Sequence, residues 1–425
     1  MRIAIIGAGI AGNTVAYRLA AEHDVTVFEA ADYVGGHTHT VDVEAGGERY
    51  AVDTGFIVFN DWTYPNFLRL LGELGVESQS TSMSFSVSCE RTGLEYNGTS
   101  LATLFADRRN LLRPRFYRML ADIVRFGRDA HAFLGTGNDT ATLGDFLETH
   151  GYSGAVVEHY VVPMTAAIWS AAPGSVLAMP ARFLLRFFAN HGMLSIDDRP
   201  VWRTVRGGSA RYVEKLTARY RDRIRMACPV TAVSRASNGV VVRTRQGGPE
   251  RFDAAFLACH SDQALAMLTD ASVAEREVLG ALRYRTNDAV LHTDARLMPG
   301  CRRAWASWNY RAADGADGAP LVTYHMNALQ RLAAPLDFFV SLNDEGRVAP
   351  ERVLGRFRYD HPVFDTAATA AQQRHAEIDG ERQTYFCGAY WRNGFHEDGV
   401  ASALAALEHF ERRQRNAELH LRRAG

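Results

Sequence analysis

The first thirty residues alternate between short apolar runs and one stretch with helical periodicity. Residues 3–6 form an apolar run, and the segment DVTVF at residues 24–28 forms a second one. Between them, Ile10, Val15 and Leu19 recur at roughly helical spacing. The order strand, helix, strand predicts a parallel β–α–β unit at the N-terminus.

The pattern changes twice further along the chain. Residues 61–202 are predicted to be mostly helical, beginning with YPNFLRLLGELGV, in which Gly75 is a plausible C-cap. Residues 284–345 instead carry strand-like runs, DAVLHTDA, AWASWNY, LVTYHMN and DFFVSLN, separated by Gly, Asp and Pro. Near the end, Val400, Leu404, Leu407 and Phe410 mark the buried stripe of a final helix, with Asp398 as its predicted N-cap.

The turn after the first strand carries candidate chemistry. Gly7, Gly9 and Gly12 fit the spacing GxGxxG, in which the first glycine permits the tight turn and the second lets a pyrophosphate approach the backbone. Glu29, at the end of the second strand, lies 22 residues after Gly7, where a ribose-binding acid is expected. This context predicts a dinucleotide-binding unit.

The next segment favours FAD over NAD. EAADYVGGHTHT, residues 29–40, resembles the second fingerprint of the flavin amine oxidase and phytoene desaturase superfamily; the matching positions are Glu29, Asp32, Gly35, Gly36 and Thr40. Two arginines of the usual pattern are replaced by Ala31 and His37, which weakens neutralisation of the phosphates. The resemblance implies FAD, with His37 as a hydrogen-bond donor to a phosphate oxygen.

The histidines of this segment have two other possible roles, in a metal site or as a catalytic base. A metal site at His37 and His39 needs further ligands, and the sequence offers none nearby. A catalytic base is the second alternative, but this segment normally follows the pyrophosphate and ribityl chain rather than the substrate. We therefore expect no metal.

Later segments resemble the same superfamily. YAVDTGFIVFN, residues 50–60, is similar to its DxG strand, and TVRGGSARYVEKL is similar to the turn and helix that return the chain to the FAD domain. Val230 occupies a position whose backbone often touches the adenine. YFCGAYWRNGFHEDGVASALAAL is similar to the C-terminal flavin motif, in which the amides of Gly399 and Val400 would point towards the flavin.

The resemblance implies an α/β fold in which a Rossmann-like FAD-binding domain is interleaved with an α+β substrate domain, itself made of an antiparallel sheet and a helical part. We expect residues 1–60, 203–270 and 376–425 in the FAD-binding domain, and residues 61–202 and 271–375 in the substrate domain. The expected cofactor-binding residues are Gly7, Gly9, Ile10, Ala11, Gly12, Glu29, Ala30, Gly35, Gly36, His37, Thr38, Gly55, Phe56, Val230, Gly388, Asp398, Gly399 and Val400.

Composition limits the possible partners. The chain has 425 residues and a net charge of −1, so no electrostatic feature favours nucleic acid. Its five cysteines are scattered without a CxxC pair, which favours reduced thiols and a cytoplasmic location. No apolar run approaches the roughly 18 residues that a membrane span needs.

The predicted substrate half is unusually apolar between residues 156 and 194. Core packing explains such a run, but so does a tunnel or membrane-facing patch for a lipophilic substrate, with Arg182 and Arg186 available for an acidic headgroup. In the superfamily an antiparallel sheet forms one wall of the substrate site. The candidate substrate residues are Trp169, Tyr310, Tyr324, His325 and Phe395, and Trp305, Trp308 and Asn327 also belong to the strand region.

The superfamily's amine oxidases carry a lysine near flavin N5, but the single lysine of this chain, Lys215, lies on a predicted cofactor-domain helix. Phe395 matches one position of their aromatic cage, and no partner is identifiable. We therefore expect an FAD-dependent enzyme that dehydrogenates a lipophilic substrate, such as a fatty acyl chain, by hydride transfer to flavin N5, as in bacterial proteins linked to modified fatty acids. The alternatives are an oxygen-using amine or amino-acid oxidase and a non-catalytic flavin-binding partner protein.

Overall fold

Two large sheets, each assembled from distant chain segments, organise the molecule. The computed structural model describes residues 1–195, 197–237, 239–312 and 321–424. The strands are β1 Arg2–Ile6, β2 Asp24–Phe28, β3 Thr40–Ala45, β4 Glu48–Asp53, β5 Phe59–Asn60, β6 Ser78–Ser80, β7 Phe85–Cys89, β8 Leu94–Asn97, β9 Trp202–Val205, β10 Ile224–Arg225, β11 Val230–Ala236, β12 Gly239–Thr244, β13 Glu250–Phe252, β14 Ala254–Leu257, β15 Arg283–His292, β16 Trp308–Ala312, β17 Leu321–His325, β18 Phe339–Leu342, β19 Val353–Val363 and β20 Thr384–Phe386.

The helices surround these sheets. They are α1 Ile10–Leu19, α2 Pro65–Leu74, α3 Leu101–Leu104, α4 Pro114–Leu134, α5 Leu143–Thr149, α6 Gly154–Val156, α7 Val162–Trp169, α8 Pro173–Leu177, α9 Ala181–Asn190, α10 Ala210–Thr217, α11 Ser261–Met267, α12 Val273–Ala281, α13 Met326–Gln330, α14 Thr366–Gln372, α15 His375–Ile378 and α16 His396–Ala424. A π-helical turn, Val157–Val161, joins α6 to α7.

The first sheet is parallel, with strand order β10-β2-β1-β14-β20. Its central strand is apolar on both faces because both faces are covered. Ile3 and Ile5 belong to the core shared with α1 and α16, whereas Ala4 and Ile6 face the core shared with β11–β13 and α12. The predicted Rossmann-like arrangement is therefore confirmed.

The second sheet has seven strands in the order β19-β15-β18-β17-β16-β7-β8. Its pairs are antiparallel except β16 with β7, which is parallel. Helices α4–α9 pack against it in the largest core. The α/β fold with an antiparallel sheet and a helical part matches the expectation, although β6, β7 and β8 interrupt the segment predicted to be mostly helical. All strands of the first sheet come from the ranges proposed for the FAD-binding domain, the last of which ends in Gly425, outside the described residues.

A buried carboxylate ties the hairpin β3–β4 to elements from both halves of the chain. Asp53 accepts hydrogen bonds from the backbone and hydroxyl of Ser209, which precedes α10, and from the side-chain amide of Gln330 in α13. Thr40 donates a further bond. Burial raises the pKa of Asp53 to about 6. Asp53 therefore links β4 to the start of α10 and to α13.

None of the helices in the described part of the chain combines the length and the apolar character that crossing a bilayer requires.

Candidate functional site

A cavity of about 1320 Å³ extends between the two sheets and draws its lining from both. Ligand pockets are typically about 300–1,000 Å³, so this cavity has room for more than one ligand. We call the part around Gly7, Gly9, Gly35 and Gly36 the glycine end. The part lined by Trp169, Phe187, Trp308, Tyr324 and Phe395 is the aromatic chamber.

The turn after β1 and the first turn of α1 contain three glycines, which differ in what a side chain at each position would contact. Gly7 has φ +103°, and a Cβ there would lie 2.8 Å from the Ala258 carbonyl oxygen. A Cβ on Gly12 would lie 1.9 Å from the Gly7 carbonyl oxygen, so α1 packs against its own turn. Gly9 differs, because a Cβ there would meet no protein atom within 4 Å. The space above Gly9 belongs to the cavity, where a ligand can approach the backbone.

Glu29 is held at the edge of this turn. Its two carboxylate oxygens accept hydrogen bonds from the backbone N–H groups of Ala8, at 2.7 Å, and Ala31, at 2.8 Å. The carboxylate is therefore fixed next to the glycine turn and retains lone pairs for a hydroxyl group of a ligand.

Three imidazoles gather where the cavity passes the glycine pair. The ring of His37 lies 6.1 Å from that of His260 and 5.5 Å from that of His361, between centroids, and Tyr359 lies 5.3 Å away. Burial lowers the pKa of His37 to about 4 and that of His361 to about 3, and it lowers the pKa of His260 as well. All three are therefore neutral at pH 7.

The charge of this end is unusual for a phosphate site. No arginine or lysine of the described residues lines it. The available positive potential comes from the N-terminus of α1 and from imidazole N–H groups. Among the described residues, no cluster of three or more metal-binding side chains has the arrangement that holds a metal ion.

His39, the second histidine of the opening segment, packs rather than facing the cavity. Its ring stacks on Tyr33 at 4.4 Å, and its Nδ1 lies 3.2 Å from the Tyr359 hydroxyl and 3.3 Å from that of Thr54. The His39 ring is therefore engaged in packing and in contacts with two hydroxyl groups.

The aromatic chamber is lined mainly by apolar side chains, and none of its described lining residues is acidic. The acidic residues in the described lining of the whole cavity are Glu29 and Asp360, and both belong to the glycine end, where the Asp360 charge acts on His37. Trp308 and Tyr324 form one wall as directly paired residues of β16 and β17, with ring centroids 5.0 Å apart. The chamber is suited to a neutral or hydrophobic group and offers no counter-ion to a cation.

Phe395 lies in the chamber but does not face an open gap. Phe187 stacks on it at 5.1 Å with an interplanar angle of 24°, and Trp169 lies 4.7 Å from Phe187. The Trp169 indole N–H donates to the Asn393 carbonyl at 3.0 Å, which fixes this ring. Two rings already in contact leave no slot between them for an amine.

His191 completes this group of rings, with its ring centroid 3.9 Å from that of Phe187. Its Nδ1–H donates to the Phe187 carbonyl at 2.9 Å, which leaves Nε2 unprotonated, 3.1 Å from the Thr63 hydroxyl. Burial lowers the pKa of His191 to about 4. The chamber thus contains a neutral imidazole whose tautomer is fixed.

Helix α16 begins three residues earlier than predicted, at His396. Asp398 is not the N-cap but lies in the first turn, where its carboxylate accepts the backbone N–H groups of Phe395, at 2.9 Å, and Asn393, at 3.2 Å. This is the reach-back contact of a capping box, and it lets the helix start at His396. His396 itself stacks on Phe56 at 3.6 Å and contacts the hydroxyl of Tyr212.

The cavity brings together most of the residues predicted for the cofactor. Those in its lining are Gly7, Gly9, Ile10, Ala11, Glu29, Ala30, Gly35, Gly36, His37, Gly55, Phe56, Val230 and Gly388. Those outside the lining are Gly12, Thr38, Asp398, Gly399 and Val400. Gly399 packs so closely on α1 that a Cβ there would lie 2.7 Å from the Ile10 side chain.

Of the predicted substrate residues, Trp169, Tyr324 and Phe395 line the chamber, and Tyr310 and His325 do not. His325 follows Tyr324 in β17 and therefore points to the opposite face of the sheet, where it pairs with Asp337 at 3.0 Å. Tyr310 shares a face with Trp308 but lies farther along β16, buried in the core. Arg182 is also engaged elsewhere, in an ion pair with Asp139.

The sequence did not single out His191, Arg199, His260, His361 or His396, all of which line the cavity. His260 had one usable signal, since it follows the carboxyl end of a parallel strand, where α/β proteins bind ligands. His361 had none, because it lies within a long strand of the other sheet.

Lys215 lies away from the cavity lining. Its ammonium group donates to the Gly75 carbonyl on the surface. This placement agrees with the expectation that it cannot serve as a lysine beside the flavin.

Comparison with known proteins gives one family. A model of the flavin-containing amine oxidoreductases matches residues 10–293. None of the curated protein sequences compared with the chain matches it.

Solved structures share the fold at low identity. Cyclohexylamine oxidase from Brevibacterium oxydans IH-35A superposes with a TM-score of 0.68 at 16% identity, covering 96% of this chain and 99% of its own. A protein assigned as a protoporphyrinogen oxidase, from Exiguobacterium sp. 255-15, gives 0.69 at 17% identity, with 97% and 99% coverage. A fatty acid isomerase from P. acnes that produces CLA gives 0.67 at 17% identity, with 96% and 98% coverage.

Proposed function

Because this chain belongs to the family of flavin-containing amine oxidoreductases and is an FAD-dependent oxidoreductase, we propose that it dehydrogenates a lipophilic substrate such as a fatty acyl chain. The observation that carries this proposal is the aromatic chamber, which is apolar and has no carboxylate among its described lining residues. A substrate that enters it exchanges water for aromatic and aliphatic surface. Such a site suits an uncharged hydrocarbon segment.

FAD fits the glycine end. In this proposal the adenosine ribose binds at Glu29, the pyrophosphate lies over Gly9 and the N-terminus of α1, and His37 donates to a phosphate oxygen. The open space above Gly9 supports this placement, since the protein leaves it free of its own atoms.

The same chamber argues against a protonated amine as the substrate. Burial of an ammonium group needs an anion or several acceptors in compensation, and no carboxylate is found among the lining residues of the chamber that the structure describes. The contact between Phe187 and Phe395 also fills the place of an aromatic cage. An amine or amino-acid oxidase stays the rival function because the family carries that name and several solved structures of the same fold, cyclohexylamine oxidase among them, are amine oxidases.

When bound, FAD would supply the acceptor for the hydride, which carries both electrons that leave the substrate. The residues of the chain position the substrate, exclude water and receive the proton that leaves the adjacent carbon. We assign the last task to His191, a residue of the cavity lining whose neutral imidazole has an unprotonated Nε2. This nitrogen lies 3.1 Å from the Thr63 hydroxyl, so the proton would reach it by displacing that contact or through the hydroxyl. Since the chain is an enzyme, the non-catalytic alternative is set aside.

Anaerobic mixing of the holoenzyme with matched compounds separates the two candidate functions. Acyl lipids are expected to abolish the yellow absorbance of the oxidised flavin, whereas primary amines and amino acids leave it unchanged. Reduction by amines alone would establish the rival function.

A further inference from the structure

Several exposed residues of the cavity lining form its border with solvent beside the aromatic chamber, and one of those that the structure describes is a cation. We call this border the chamber rim; it consists of exposed residues of the cavity lining, namely Ser82, Gly98, Thr99, Arg199 and Val201. Arg199 is the one arginine or lysine among the described residues that line the cavity. An isolated cation above an apolar chamber is a candidate contact for an anion.

The Arg199 side chain is held in place and forms no close ion pair with the described residues, although Asp197 and Asp198 directly precede it in the chain. Its Nε and Nη2 donate to the Ser195 carbonyl at 3.3 and 3.1 Å. It forms no ion pair with a carboxylate of the described residues, unlike Arg182, which pairs with Asp139. The Val201 backbone N–H donates to Asp61 at 2.8 Å, which anchors the segment just after Arg199.

Tyr160 supplies a second donor next to this cation. It lies on the π-helical turn Val157–Val161 and lines the cavity, and its hydroxyl has no hydrogen-bond partner among the described residues. Burial raises the pKa of Tyr160, and the nearby Arg199 charge lowers it in part. Tyr160 and Arg199 therefore interact electrostatically and both line the cavity. Turns of the π-helical type are frequent at functional sites.

Two exposed apolar side chains lie near this cation. Val201, two residues after Arg199, is 47% exposed, and Trp62 is 42% exposed. Trp62 belongs to the same part of the surface because its ring lies close to Gly192, another residue of the cavity lining. Apolar and aromatic groups beside an arginine are typical of surfaces that meet lipid headgroups.

We propose that Arg199, with Tyr160, binds the anionic head group of the substrate at the chamber rim while the hydrocarbon tail extends into the aromatic chamber. The inference rests on the proposed function and narrows its substrate class from lipophilic molecules to lipophilic anions. The head group would be a carboxylate or a phosphate, since a guanidinium group binds both through paired N–H donors. A fixed head group would also select which carbon of the tail reaches the flavin of the bound cofactor, and hence where the double bond forms.

The test measures binding to the holoenzyme with four probes that share one hydrocarbon tail: palmitate, hexadecyl phosphate, hexadecanol and hexadecylamine, each below its micelle-forming concentration. The variants are Arg199→Gln and, as the matched control, Arg186→Gln. Arg186 is exposed on α9 and lies outside the cavity lining. Perturbation of the flavin spectrum, or of tryptophan fluorescence, reports each Kd without requiring turnover.

Arg199→Gln is expected to raise the Kd of at least one of the two anions roughly 10- to 100-fold, as for the loss of a charged hydrogen bond. The same variant should leave the Kd of hexadecanol unchanged, which shows that the chamber is intact. Arg199→Lys should recover part of the loss, and added salt should weaken anion binding to the wild type but not to Arg199→Gln. Equal Kd values for both anions in Arg199→Gln and Arg186→Gln would overturn the proposal.

Failure of the proposed function has a different signature. If none of the four probes binds to the wild type, the apolar chamber is not a substrate site and both proposals fail. If the anions bind through Arg199 but do not reduce the flavin, the anion site stands and the dehydrogenation is wrong. Cosedimentation with phosphatidylglycerol vesicles, compared with phosphatidylcholine vesicles, separates the two sources: Arg199-dependent cosedimentation assigns a membrane phosphate, and its absence alongside palmitate binding assigns a free carboxylate.

Discussion

At the scale of one residue, a substitution of Gly9 is expected to abolish cofactor binding without changing the stability of the apoprotein. Because a Cβ at Gly9 meets no protein atom within 4 Å, Gly9→Val should leave the unfolding midpoint of the apoprotein unchanged. The valine would occupy the space proposed for the pyrophosphate, so the purified variant should contain no FAD. Flavin content and thermal unfolding of the apoprotein measure the two effects.

Gly12→Ala is the contrasting variant. Its Cβ would collide with the Gly7 carbonyl oxygen, so the apoprotein itself should lose stability. A yellow, stoichiometric Gly9→Val protein would contradict the assignment of the glycine end.

His37 makes FAD binding dependent on pH. Burial lowers the pKa of His37 from its ordinary 6.5 to about 4, with His260, His361, Tyr359 and Asp360 around it. A pyrophosphate beside the ring would raise that pKa, so binding takes up protons, and the Kd for FAD should fall as the pH decreases from about 7 towards 5. Titration calorimetry in buffers of different ionisation enthalpy measures this uptake.

His37→Gln should reduce the proton uptake and weaken FAD retention more than it slows turnover of the saturated holoenzyme. The reverse pattern, with FAD held normally and turnover lost, would make His37 a catalytic base.

His191 is expected to act in the chemistry rather than in cofactor binding. His191→Phe keeps an aromatic ring against Phe187 and removes both nitrogens. Flavin reduction at saturating substrate should slow by roughly 10²- to 10⁴-fold, as for the loss of a general base, while FAD content stays the same. An unchanged reduction rate would show that the proton leaves without His191.

At the scale of elements, local patterns predicted the helices and parallel strands well. The apolar stripe of α1, the C-cap at Gly75 and the buried face of α16 follow from residues close in sequence. The start of α16 was misplaced because Asp398 caps by reaching back from within the first turn. Acidic residues are found both at the N-cap and in the first turn of a helix, so the residue type does not tell the two positions apart.

The strands β7 and β8 were missed for a different reason. Phe85–Cys89 alternates with serines. One of its partners is the neighbouring β8, but the other, β16, lies more than two hundred residues later in the chain. Ser86 is fully buried and donates to Asn309 across that pair. A polar residue in a buried strand is satisfied only by tertiary contacts, which no local pattern contains.

Substitution of Asp53 tests how strongly its hydrogen bonds stabilise the contact between the hairpin β3–β4, α10 and α13. Asp53→Ala would leave buried donors from Ser209, Gln330 and Thr40 without their acceptor, and we expect a loss of roughly 2–4 kcal/mol in the free energy of unfolding. Chemical denaturation of the apoprotein measures it.

The control for Asp53 is Glu44→Ala on the same hairpin, where an exposed carboxylate pairs with Arg49 at 3.5 Å. This change should stay within about 0.5 kcal/mol. Similar losses in the two variants would show that the Asp53 contacts do not stabilise the junction.

At the scale of the whole molecule, the two ends of the cavity differed in how far sequence could predict them. The glycine end comes largely from residues 7–37, so a local fingerprint locates it. The aromatic chamber combines side chains from α7, α9, β16, β17 and the start of α16, and its composition depends on the fold. Strand alternation separates Tyr324 from His325, and only the assembled sheet shows which of them faces the chamber.

The absence of a carboxylate from the described lining of the chamber is likewise a property of the whole molecule. The chain has 48 acidic residues against 47 arginines and lysines, so its composition does not predict an excess of either charge in the chamber. The exclusion of carboxylates from the described lining of the chamber favours neutral or anionic substrates over cationic ones.

Analysis of the recovered lipid after one anaerobic turnover tests this claim most directly. The holoenzyme is mixed with an acyl lipid, and in a parallel sample with an amine of equal chain length; flavin reduction is followed, and the products are identified by mass spectrometry. The account predicts an acyl product lighter by two hydrogen atoms, in amounts equal to the flavin reduced, and an unchanged amine. An oxidised amine together with an unchanged acyl lipid would contradict it.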